Sequence, residues 1–499
     1  MARSSPPPPR PPGELRSAIE EFLKSAREPA LLEPGEDLLP LTADNYTLEM
    51  RGSRLTLQAW DRTRNWTRRV VDIADATNAR MEMTVERFAR RQGQMFLLDL
   101  SRRGGADMGK RSGRLVFRER FRLLLLRQFA GWKLDEITAE ADLQHSLSPA
   151  FPRALLVHGR HGFAAIACPP EGDSAAVLSF ALIWLQYLRA RERKIVVEGL
   201  AIYLPSQKER ITALRILCLN PEAARFELFT YDDRDEVLRI DPRDHGNLDI
   251  RLDHCRRPAP NRIAEWNQIA ELPDVERVPK HDGRLSLRVR GIEFAELVDG
   301  EMWFGMDQRR AAHPRHAAEI AGVVEELAGA RCASGDRLHP LYRQYPEAWL
   351  ESMVRTNIEE IDAMLLPHPI YGQVPAFAGG DRGVLDLLAV DRTGRLAVVE
   401  LKASADVHLP LQALDYWVRV KWHLDRGEFR AHDYFSGIEL SAEPPRLLLV
   451  SPSLEFHPST ETILSVFAPG IEVVRIGLGV EWRKGLHVMF RLVGAQRPE

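Results

Sequence analysis

A chain of 499 residues with 44% hydrophobic and 28% charged residues has room for about three domains and several buried cores. Its longest apolar segments, such as Ser179 to Leu188, are too short to span a bilayer, and Cys168, Cys218, Cys255 and Cys332, separated by 50, 37 and 77 residues without a C-x-x-C, suggest neither a disulfide framework nor a zinc site. A net charge of −3 excludes a uniformly basic coat but not a local one, and the cysteine usage points to a reducing, cytoplasmic setting without membrane contact.

The first segment, 1–45, opens with MARSSPPPPRPPGELR, which lacks the apolar core of a secretory signal and is expected to be a partly disordered, Pro-rich leader. Residues 46–114 are expected to form a β-rich basic domain. YTLEM, RLTLQAW, RRVVDI, RMEMTVERF and QMFLLDL are short alternating or apolar runs of the kind that build a small sheet or barrel. From Arg51 to Gln128 there are 19 basic and 8 acidic residues, a surplus of 11. The clusters are Arg62, Arg64, Arg68 and Arg69; Arg87, Arg90 and Arg91; and Arg102, Arg103, Lys110, Arg111 and Arg114. Trp60, Trp66, Phe88 and Phe96 are interleaved among them. Such a surface would attract phosphate backbones through counterion release, with aromatics to stack on bases; a solvated basic face is the plain alternative.

Residues 115–240 show an α/β rhythm, and 241–335 form an intervening α+β segment with strands in SLRVRGIEFAEL and EMWFGM and a helix around Ala312 to Gly329. His158, His161, His254, His313 and His316 have no metal-ligand spacing. No P-loop, G-x-G-x-x-G or G-x-S-x-G occurs, which leaves nucleotide-driven and serine-hydrolase chemistry without support.

The last segment, 336–499, carries the chemistry. Val384 to Val390 and Leu396 to Leu401 are apolar runs of strand length around Asp391-Arg392-Thr393-Gly394-Arg395, which predicts a β-hairpin. Pairing centred on Thr393 sets Asp386 opposite Glu400, with opposed Cβ atoms about 5 Å apart, close enough for both carboxylates to hold one hard cation. Lys402 lies two residues on and projects from the same face. Only 9 of the 68 basic residues are Lys, so a Lys here is a chosen point charge whose proton affinity can respond to a metal. Two acids and an ammonium suit phosphodiester hydrolysis with Mg²⁺, for which Mn²⁺ can substitute. A strand-edge charge beside a solvated Glu–Lys pair is the bland reading; the nearly continuous apolar runs around them speak against it.

These residues resemble the PD-(D/E)XK nuclease superfamily, with Asp386 as the motif Asp, Glu400-Leu401-Lys402 as E-x-K, and Leu385 where Pro is usual. Gln412 and Tyr416 match the Q-x-x-x-Y of its RecB-like branch, on a helix opened by Pro410 that puts Arg419 on the same face, in reach of a phosphate. The resemblance implies a restriction-endonuclease-like mixed sheet flanked by helices: helix 346–364, a strand near Ile370 to Val374, the hairpin, helix 410–424, and a strand Leu447 to Val450. It also implies an acidic metal ligand from the preceding helix, where Glu347 and Glu351 stand one turn apart and Glu351 is favoured. It covers the last third of the chain.

Shifted by 233 residues, PRALLVHGRHGFAAIACPP from Pro152 aligns without gaps on LDLLAVDRTGRLAVVELKA from Leu385, and LAIYLPS at 200–206 resembles LLLVSPS at 447–453. Arg153, Ala167, Pro169 and Ser179 stand where Asp386, Glu400, Lys402 and Gln412 do. Residues 115–240 are therefore expected to be a degenerate, inactive copy of the nuclease-like domain, with chance α/β rhythm as the rival. The expected function is a Mg²⁺-dependent nuclease acting on nucleic acid, DNA foremost, with a homodimer or two successive events needed to cut a duplex. The alternatives are a catalytically silent nucleic-acid-binding protein with a vestigial site, or an interaction scaffold.

Overall fold

The computed structural model describes residues 10–496 other than 53, 62–63, 87–91, 245–250, 260–262, 307 and 379–380, together with all their side chains except those of 51, 373–378 and 381–384. Among the described residues the chain is a multidomain α/β protein with four sheets. It divides into two compact units: Met1–Leu143 with Ser148–His158 and Ala167–Gly172, and Gln144–Leu147 with Gly159–Ile166 and Asp173–Glu499. None of the described helices is long and apolar enough to cross a membrane.

The first unit contains α1 (Pro12–Ser25), β1 (Pro29–Leu32), β2 (Leu39–Pro40), β3 (Tyr46–Arg51), β4 (Arg54–Trp60), β5 (Asn65–Ala76), β6 (Arg80–Glu86), β7 (Gln92–Asp99), α2 (Arg103–Gln128), β8 (Lys133–Thr138) and β9 (Arg153–His158). Strands β1 to β7 form an antiparallel sheet in the order β2-β1-β7-β6-β5-β4-β3. Alternation turns Leu55, Leu57 and Ala59 inward against Met81, Met83 and Val85, and α1 adds Leu15, Ile19 and Phe22 at helical spacing to the same core. Residues 12–45 are thus part of this fold rather than a leader, and the expected boundary at 114 falls inside α2.

The same alternation corrects the expected nucleic-acid surface. Trp66 and Phe96 are buried, so neither is presented to a base. Arg64 pairs with Asp61 at 2.8 Å, Arg68 with Glu33 at 2.8 Å, Arg69 with Glu86 at 2.8 Å and Arg102 with Asp99 at 3.0 Å. Of these acids only Glu33 lies outside Arg51 to Gln128, so the surplus of 11 is little reduced; what the pairs show is that these four guanidinium groups already face carboxylates. Lys110 and Arg111 are exposed on α2, while Arg62, Arg87, Phe88, Arg90 and Arg91 lie outside the described residues.

After β10 (His161–Ala167) come α3 (Val177–Arg191), β11 (Val196–Pro205), α4 (Arg210–Ile216), β12 (Arg225–Tyr231) and β13 (Val237–Ile240), in a sheet ordered β13-β12-β11-β10-β9-β8. The intervening segment is α5 (Ala264–Ala270), an antiparallel sheet of β14 (Glu276–Pro279), β15 (Leu285–Val289), β16 (Ile292–Val298), β17 (Glu301–Phe304) and β18 (Arg310–Ala311), and α6 (Ala317–Ala330).

The last region holds α7 (Pro340–Arg343), α8 (Pro346–Thr356), α9 (Ile358–Ile361), β19 (Tyr371–Ala378), β20 (Asp381–Val390), β21 (Leu396–Leu401), α10 (Leu409–Asp425), α11 (Glu428–Ala431), β22 (Arg446–Pro452), α12 (Thr460–Leu464), β23 (Val473–Leu478) and β24 (Val488–Val493). Its sheet runs β19-β20-β21-β22-β23-β24, parallel from β21 to β23 and antiparallel elsewhere. Leu387, Ala389, Ala397, Val399 and Leu401 share a core with Trp349, Leu350 and Val354 of α8. Alternation leaves Asp386, Leu388, Val398 and Glu400 for the other face, where α10 packs on β21 and β22. The single helix expected over 346–364 breaks at Asn357, whose side-chain amide donates to Met353 O at 2.9 Å and competes with the helix ladder. Gly394 sits in the hairpin turn at φ +82°, and a Cβ there would lie 2.1 Å from Glu439 O, so glycine is required.

Both six-stranded sheets run in unbroken chain order with a helix at the same point after the hairpin. The parallel pairs even share a register: Leu200 pairs with Phe226 and Leu447 with Val473, 26 residues apart in each.

Candidate metal centre

The hairpin register is the one its turn dictates. Leu387 pairs with Val399, Leu388 with Val398, Ala389 with Ala397 and Val390 with Leu396, which carries Asp386 to a place opposite Glu400. The Leu401 N–H donates to Asp386 Oδ2 at 2.9 Å and ties that carboxylate to the partner strand. Glu400 is 3% exposed, flanked by Leu449 of β22, and its Oε2 is buried without a hydrogen-bond partner.

Both acids hold protons more tightly than usual. Burial is the main cause at Asp386, pushing it from an ordinary 3.8 up to about 6; the Leu401 N–H works against this, the Glu351 charge adds to it and Lys402 opposes it. Glu400 is raised well above the usual carboxylate range, by burial first and then by the Asp386 charge. Two carboxyl groups buried side by side thus favour the protonated form over the doubly charged one. Lys402, also on this face, places Nζ 3.6 Å from Asp406 Oδ2 and keeps its side chain 21% exposed.

Helix α10 brings the other expected residues. Gln412 Oε1 is buried with no hydrogen-bond partner. The Tyr416 hydroxyl is pushed up by burial and then by the charges of Glu400 and Asp386, which puts it within their field; Arg419 pulls the other way. Arg419 Cζ lies 5.8 Å from the Tyr416 ring centroid, and its side chain is buried rather than held out toward solvent.

Glu351 is near enough for its charge to act on Asp386, yet two guanidinium groups hold it: Arg355 one turn along at 2.5 Å and Arg288 of β15 at 3.6 Å. Among the described residues no group of three or more His, Cys, Asp and Glu is arranged to hold a metal, which leaves Asp386 and Glu400 as a two-carboxylate set.

Two residues escaped the sequence reading. Ser451 follows Val450, the partner of Leu401, so it stands beside Lys402 in register; its Oγ is buried and without a hydrogen-bond partner. The interruption of LLLV by a polar residue was its only signal. His408, just before α10, shares a hydrogen bond of 2.9 Å with Ser179 Oγ of α3, a pairing across 229 residues that no local pattern announces.

Buried hard-oxygen donors with one orphaned carboxylate oxygen fit a divalent cation such as Mg²⁺ or Mn²⁺. Searched against protein-family models and curated proteins, the chain matches none.

Proposed function

We propose that residues 336–499 form a Mg²⁺-dependent nuclease of the PD-(D/E)XK kind, with a restriction-endonuclease-like fold, that hydrolyses phosphodiester bonds of nucleic acid, DNA foremost. The observation that carries this reading is the buried, opposed Asp386–Glu400 pair with Lys402 on the same face.

Asp386 and Glu400 would hold Mg²⁺, or Mn²⁺ in its place. When bound, that cation supplies Lewis-acid polarisation of a phosphoryl oxygen and a bound water of lowered pKa. With both acids raised in proton affinity, protons compete with the cation for the pair, which couples metal loading to pH. Lys402, partly exposed beside the acids, orients the attacking water or offsets charge that grows on the phosphate. Tyr416 of α10 stands in the field of both acids, Gln412 one turn before it has an unpartnered buried amide oxygen, and the apolar strands keep bulk water from the acids. Glu351, clamped by Arg355 and Arg288, acts through its field on Asp386 and joins the metal only if the clamp opens. Residues 115–240 keep the strand and helix order without the carboxylates, as an inactive copy would.

The test is cleavage of end-labelled single-stranded, double-stranded and branched DNA, and of RNA, with Mg²⁺ or Mn²⁺, by wild type and Glu400→Gln. Cleavage lost in the variant supports the reading and names the polymer. A folded wild type that cuts none of these polymers with either metal overturns it.

A further inference from the structure

The two copies meet in a reciprocal way. Helix α3 packs on α12, and α10 packs on α4; since α3 corresponds to α10 and α4 to α12, each contact becomes the other when the copies are exchanged. An antiparallel bridge joins Leu219 to Phe467. These two are equivalent positions, each two residues before a proline, Pro221 and Pro469, at the end of the connection that follows α4 or α12. The Asn220 N–H donates to Val466 O at 2.8 Å, and the Ala468 N–H donates to Cys218 O at 2.9 Å. Exchanging the copies turns the first bond into the second. An approximate two-fold axis therefore runs through the Leu219–Phe467 bridge, the signature of an isologous interface, here formed within one chain.

The interface is also specific. Arg215 of α4 makes a bidentate ion pair with Asp415 of α10, with both bonds at 2.8 Å and the side chains 5% and 14% exposed. Ser179 meets His408, and Phe180 stacks edge-on against the same ring with centroids 5.5 Å apart. Helix α10, which carries Gln412 and Tyr416, is thus braced by the inactive copy.

A homodimer of such domains would put two identical centres about its axis, one for each antiparallel strand of a duplex. In this chain the surface around the axis is already occupied, and one half has lost the chemistry. Arg153 takes the place of Asp386 and donates to Glu140 O at 2.9 Å, Ala167 takes that of Glu400, and Pro169 that of Lys402. We propose that the chain is its own dimer, with a single cleavage centre, and that on a duplex it breaks one strand per binding event and leaves a nick. This rests on the nuclease reading and adds to it the product and the working unit.

The experiment uses the full-length protein with Mg²⁺ or Mn²⁺ on supercoiled closed-circular duplex DNA, followed in time on a gel, with wild type and the neutral variant Glu400→Gln mixed in varying ratio. The expected result is open circle as the first product, with linear duplex only after it and the initial rate falling in proportion to the wild-type fraction. Linear duplex formed directly, a rate falling as the square of that fraction, or attack on linear DNA alone with the circle left intact would overturn the inference while leaving the nuclease reading standing. Absence of any cutting of circular or linear DNA and of RNA would remove both.

Discussion

The two hairpins, 153–167 and 386–400, occupy the same place in two sheets of the same strand order and differ in how they treat burial. In the first, Arg153 donates through its terminal nitrogens to the carbonyls of Glu140 and Ser148, and Ala167 is apolar, so no carboxyl pair is buried there. In the second, two carboxyl groups are forced together away from water, both with raised affinity for a proton, and Glu400 Oε2 is unpartnered. A carboxyl pair buried in this way costs stability, which a proton or a bound cation would relieve. The difference marks the second hairpin as the one that gives up stability, where the proposed cation would sit.

The largest expected effect is on cleavage. Lys402→Ala should cut turnover by about 10²- to 10³-fold, the range for losing one preorganised electrostatic group, while leaving Mn²⁺ affinity nearly unchanged. Asp386→Ala should remove Mn²⁺ binding and turnover together, and equal losses of folded protein in both variants would instead mark the charges as structural. Next comes the brace between the copies: Arg215→Ala leaves Asp415 buried without its partner and should lower unfolding stability by about 3 kcal/mol in urea titration.

The frustrated pair itself predicts a gain. Asp386 has a folded pKa of about 6 against an ordinary 3.8, so the native state binds more protons between those values, and stability drops as pH rises through about 6. Asp386→Asn, which still accepts from the Leu401 N–H, should therefore be more stable than metal-free wild type by about 2–3 kcal/mol at pH 8, with the gap closing by pH 4. A gap independent of pH would contradict the sign or the cause. The smallest effect is expected in the first copy: Arg153→Met keeps the apolar contacts and loses two hydrogen bonds to carbonyls, about 1–2 kcal/mol with no pH dependence.

What was legible in the sequence came from local chemistry. Gly394 with Asp391 fixed the turn and hence the register, and alternation then put Asp386, Glu400 and Lys402 on one face. The repeat was legible because apolar patterning outlives the loss of polar groups. Less visible were the features that depend on long-range partners. Arg215 and Asp415 are 200 residues apart, and Glu351 meets Arg288 from a different sheet, so neither pairing has a local signature. The N-terminal arginines were visible as a charge count, but which acids they meet, Glu33 for Arg68 and Glu86 for Arg69, depends on the folding of the sheet, which a count does not contain. Trp66 and Phe96 were misassigned to the surface because both belong to runs whose inward face only the sheet order decides.

The most direct test of the central claim is calorimetric titration of Mn²⁺ into metal-free protein in two buffers of different ionisation enthalpy, with wild type beside Asp386→Asn and Glu400→Gln. The account predicts a single cation per wild-type chain, bound with release of a proton, and no binding at this site in either variant. Binding that is unaffected by both substitutions, or its absence in folded wild type, would contradict it.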